Sequence, residues 1–167
     1  MISCILVSIA SIAAVMDLVR ERIDNHFIAA CWILGAGYQA GSHGFEGIGL
    51  FLTGSVVPIV LLYLLFRFRM LGAGDIKLLS AIGGFVGPII ISKCIVLSFI
   101  FGALLSIGFI CVCGNLTARL LYFTNYINRV ITVKKALPYY LPGKRMENIH
   151  FSIPILMAVL MHIGGFY

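Results

Sequence analysis

The chain has 167 residues, 61% hydrophobic and only 11% charged, with a formal net charge of +6. A mean hydropathy of +1.08 excludes an ordinary soluble domain, which needs a far larger polar surface. The positive charge does not make a nucleic-acid binder, because the basic residues form short clusters between apolar runs and build no soluble basic face.

Six apolar segments follow in chain order, at about 2–19, 26–41, 46–66, 76–92, 94–118 and 149–165. A span takes roughly 20 residues, fewer inside a bundle. The third and fifth qualify by length, and the second, fourth and sixth are read as short spans. The first is read as a retained helix and not a cleaved signal, since no basic residue precedes it and Met16-Asp17 is a poor cleavage context. With six spans, eleven of the twelve basic residues fall on one side, and Lys93 alone falls on the other. The positive-inside rule then places both termini outside. The expected fold is an all-α integral membrane protein, a six-transmembrane-helix bundle forming one domain over residues 1–167. The polar stretch 119–148 is expected as a cytoplasmic loop with an amphipathic helix on anionic headgroups, ended by Pro138, Pro142 and Gly143.

Only six acidic residues exist: Asp17, Glu21, Asp24, Glu46, Asp75 and Glu147. Asp17 closes the first segment and Asp75 opens the fourth, so the topology puts both at the cytoplasmic border. Two carboxylates sharing a site of low dielectric do not both ionise cheaply, so one keeps a proton near neutral pH. The ionised one can deprotonate a water while the protonated one donates to a peptide carbonyl, which hydrolyses the peptide without a covalent intermediate. Gly72 and Gly74, in a loop before Asp75, would let a substrate backbone approach.

At these residues the sequence resembles the type IV prepilin peptidases and archaeal preflagellin peptidases, membrane aspartyl proteases with a Gly-x-Gly-Asp motif. "GAGDIKLLSAIGGFVG", Gly72 to Gly87, is similar to the family's second aspartate motif nearly residue for residue. "DLVRERIDNHFI", Asp17 to Ile28, resembles the first, in which an Asp and a basic stretch precede Ile-Pro-Asn. Ile23 and Asn25 match, whereas Asp24 replaces the usual Pro and adds a third carboxylate. The resemblance implies Asp17 and Asp75 as the catalytic pair, with Asp24 a competitor for the first role. It implies no cofactor, a prokaryotic cytoplasmic membrane, and a prepilin-like partner whose short basic leader is cut after a Gly. The size and the lack of paired Cys-x-x-Cys motifs match the minimal form associated with Flp/Tad-type pili, without the N-methyltransferase domain of larger relatives.

Lys77 is read either as tuning the dyad or as snorkelling to the headgroups. Asn25 supports the site or, preferably, caps the second helix. Gly83, Gly84 and Gly87 are expected to allow close packing in the fourth span. The four histidines, His26, His43, His150 and His162, are scattered and show no metal-ligand spacing. Cys4, Cys31, Cys94, Cys111 and Cys113 lie in apolar segments and read as small filler. Besides a structural subunit of a pilus assembly platform, which would tolerate loss of both carboxylates, two alternatives remain open. One is an intramembrane protease of the presenilin or signal-peptide-peptidase type, with its first aspartate deep inside a span. The other is a small proton-coupled transporter, with carboxylates at the bilayer midplane.

Overall fold

In the computed structural model, the described residues are 2–68, 70–113, 121, 124, 125 and 150–166. The expected loop and interfacial helix at 119–148 therefore lie almost wholly outside them. Four helices are described: α1 (Ile2–Arg20), α2 (Asn25–Arg67), α3 (Ala73–Cys113) and α4 (Ser152–Ile163). By length and composition, α1, α2 and the stretch Ala73–Phe109 of α3 can each cross a membrane, whereas α4 is a shorter apolar helix.

Neither α2 nor α3 is one straight rod. Gly44 in α2 has φ 58° and ψ −133°, and Gly87 in α3 has φ 81° and ψ 175°. Side-chain-bearing residues avoid both conformations, and Pro88 removes a backbone donor just after the second. At each glycine the chain folds back on itself. A Cβ on Gly47 would strike the Gln39 carbonyl, and one on Gly83 would lie 3.1 Å from Ile91 Cγ1. Residues eight apart in a straight helix are about 12 Å apart along its axis, so these approaches require reversal.

The first break, at Gly44, falls between the expected second and third segments, 26–41 and 46–66. The second corrects the sequence reading, which ran the fourth segment to residue 92 and placed its turn near Lys93. Hydropathy does not register a Gly-Pro step, and the lone lysine was the wrong landmark. Gly87 makes the turn, and its Cα also faces Gly54, 3.0 Å from where a Cβ there would stand.

The half of α3 before Gly87 is the centre of the fold. Ile76, Leu78, Leu79, Ala81, Ile82 and Phe85 are all buried, which leaves Lys77 as the exposed exception among residues 76–85. Leu6, Ile9, Ala10 and Ala13 of α1, and Ile155, Ala158 and Val159 of α4, repeat at three- and four-residue spacing and turn one buried face inward. Gly54 and Gly83 meet backbone to backbone, so close that a Cβ on either would collide with the other's carbonyl. Ser80 Oγ donates to the Ser55 carbonyl at 2.7 Å across the same seam. The opposite faces carry Ile33, Leu34, Val60, Leu61 and Leu64 outward, an apolar exterior suited to lipid.

Gln39 illustrates the cost of the second break. A helix end leaves its last carbonyls without intrahelical donors. Phe85, just ahead of Gly87, is one of these residues, and its carbonyl accepts from Gln39 Nε2 at 2.8 Å.

Candidate active site

Asp17 and Asp75 line one cavity of about 320 Å³, together with Glu21, Arg22, Ile23, Asn25, Gly72, Ala73, Gly74 and Lys77. The two carboxylates are near enough to interact electrostatically. Asp17 arrives on the last turn of α1, and Asp75 on the first turn of α3, at the head of the buried central half-helix. A second cavity of about 420 Å³ lies at the other end of the helices, among Leu6, Tyr38, Gln39, Phe85 and His162.

The local sequence shapes the second motif. The helix begins at Ala73, so Gly74 and Asp75 are helical and only Gly72 precedes it. This corrects the expected loop over Gly72–Gly74. The Gly72 carbonyl accepts from Ile76 N at 3.4 Å, and the Gly72 backbone amide faces the Asp75 carboxylate. An acidic side chain at the third helical position reaching back to the capping amide is half of a capping box. Gly72 is needed for space as well: a Cβ there would stand 3.1 Å from Asp75 Oδ2. Gly74 is less constrained, since its Cβ would make ordinary 3.6 Å contact with Ile23.

Asn25 is the first residue of α2, and the N-cap is Asp24, without a side-chain capping bond. This departs from the preferred reading of Asn25 as a cap. Its Oδ1 instead accepts from Lys77 Nζ at 2.8 Å, tying the start of α2 to the first turns of α3. Lys77 thus braces the cavity wall through Asn25. Asp24 does not line the cavity; its Oδ2 pairs with Arg20 at 2.9 Å on an exposed surface.

The sequence reading missed two neighbours of Asp17. Ser152 Oγ donates to Asp17 Oδ2 at 2.6 Å, and His150 Nδ1 lies 3.2 Å from the same oxygen. The final segment matched no motif closely enough to name residues in it. Depth was the available signal, because six expected spans would put the start of the last at the border expected for Asp17 and Asp75.

The fold and site together define a helical membrane protein with two carboxylates converging at one end of its bundle. Residues 4–107 match the model of the type IV leader peptidase family, and the chain belongs to that family. It is a membrane peptidase. No curated protein and no solved structure matches it.

Proposed function

We propose that the protein is an aspartyl endopeptidase that removes the short basic leader of pilin-like precursors, cutting after a glycine at the cytoplasmic membrane face. The observation that carries this reading is the convergence of Asp17 and Asp75 on one cavity in a chain of the leader peptidase family. One carboxylate takes a proton from water, and the water oxygen attacks the scissile carbonyl. The other carboxyl donates to the carbonyl oxygen and later helps protonate the leaving amine. Protonation belongs to the pair, so neither aspartate carries a fixed role. Gly72, Gly74, Lys77 and Asn25 support the site, and Asp24 stays outside it. No cofactor takes part.

The proposed setting is a single domain crossing a prokaryotic cytoplasmic membrane six times, with both termini outside. The reversals at Gly44 and Gly87 support that count, because they divide α2 and α3 into antiparallel halves. The clusters Arg20, Arg22 and Arg67 flank the aspartate end, as anionic headgroups on the cytoplasmic side would favour.

The test is co-expression with an Flp-type prepilin, reading precursor size on a gel. Wild type is expected to process it. Asp17→Asn and Asp75→Asn, at equal protein levels, are each expected to slow processing by about 10²-fold or more. Unchanged processing in either variant would remove that carboxylate from the mechanism.

A further inference from the structure

We propose that His150 and Ser152, at the start of α4, are positioning residues that set the orientation of Asp17. This rests on the peptidase reading above and deepens it. Both side chains converge on a single oxygen, Asp17 Oδ2, at 3.2 Å and 2.6 Å. Neither lines the cavity that holds the two carboxylates; Ser152 reaches it through Asp17, and His150, in contact with Asp17, is also near enough to Asp75 to act on it electrostatically. They also lie beyond the residues that match the family, 4–107.

The chemistry of the contact is specific. Ser152 is fully buried, and a hydroxyl in that position needs a partner, which Asp17 supplies. At 2.6 Å the contact is a short O–H···O hydrogen bond. His150 reaches the same oxygen when Nδ1 carries the proton. With Oδ2 committed to α4, Oδ1 is left for water or substrate. Asp75 is placed by different means, folding back toward the backbone amide of Gly72 in its own helix turn. One aspartate is therefore held by local backbone and the other by a distant helix, so the seating of α4 against α1 governs the geometry of the pair.

The test uses the full chain in detergent micelles with a synthetic peptide carrying a basic leader, a glycine and an apolar segment. Displacing a reacting group by about 1 Å can cost on the order of 100-fold in rate. Ser152→Ala and His150→Ala are each expected to lower kcat by about 10- to 100-fold with KM little changed. His150→Gln, whose amide can still donate, is expected to recover part of that loss, whereas His150→Leu, of similar size but without a donor, is not. Infrared difference spectra, assigned with Asp17→Asn, supply a readout independent of turnover: the Asp17 carboxyl band is expected to shift in Ser152→Ala. Wild-type kcat in both alanine variants, or an unmoved band, would overturn the positioning role while leaving the peptidase reading intact. Failure of the wild type to cut any leader peptide would instead strike the peptidase reading, and the infrared band would still decide whether α4 orients Asp17.

Discussion

An aspartate on the last turn of an apolar helix is tolerable only where donors or water meet it. Asp17 has donors from α4, and its side chain is 15% exposed toward the cavity end of the bundle. Gly72 serves the same end for Asp75 by leaving room for the carboxylate to fold back. Gly72→Ala is expected to push that carboxylate aside and to lower the processing rate by at least about tenfold, with the protein still folded; initial rates on the leader peptide would check it. A full rate in that variant would show that the carboxylate adapts. Asp17 and Asp75 were legible in the sequence because charge is scarce there and each stands beside a recognisable motif. Ser152 and His150 were not, because serine and histidine near a span end are commonplace. Asn25 was misread because its partner, Lys77, lies fifty-two positions away.

At the scale of the helix, apolar periodicity and length located the elements but did not place every break. The Gly44 reversal was legible from the polar residues around it. The Gly87 reversal was hidden in an unbroken apolar run, where a backbone conformation and not polarity turns the chain. Gln39→Leu would remove the donor to the Phe85 carbonyl. It is expected to destabilise the fold by about 1–3 kcal/mol, read as a lower unfolding temperature in detergent. Gly54→Ala and Gly83→Ala test the crossing of the two inner half-helices. The clash there is with backbone, which cannot swing away, so each is expected to cost about 1–3 kcal/mol or more. Stability equal to wild type would mean that the half-helices separate without penalty.

For the whole molecule, the decisive arrangement is that helices from distant parts of the chain bring their polar ends together while their flanks stay greasy. The proposed topology has a direct check by cysteine labelling in a cysteine-free background. Ser42→Cys, near the Gly44 reversal, is expected to react with a membrane-impermeant maleimide in intact cells. Met70→Cys, 62% exposed and beside the aspartate end, is expected to react only after permeabilisation. Labelling of both from the same side would break the six-crossing arrangement. The inside-out composition made the membrane class plain from the sequence, because burial in lipid rewards apolar residues on every face.

The tie between Asp17 and α4 also bears on how the protein is made. The two contacts join residues 135 positions apart at Ser152 and nearly as far at His150, so translation delivers the carboxylate long before its donors. During that interval, in the proposed topology, Asp17 would stand at the edge of the bilayer without its donors from the last helix. A nascent chain arrested before α4 would hold both aspartates yet lack the brace on one of them. Competence would arrive late and abruptly, with the docking of a single short helix, and a half-made enzyme would be a poor protease in the membrane that is still assembling it.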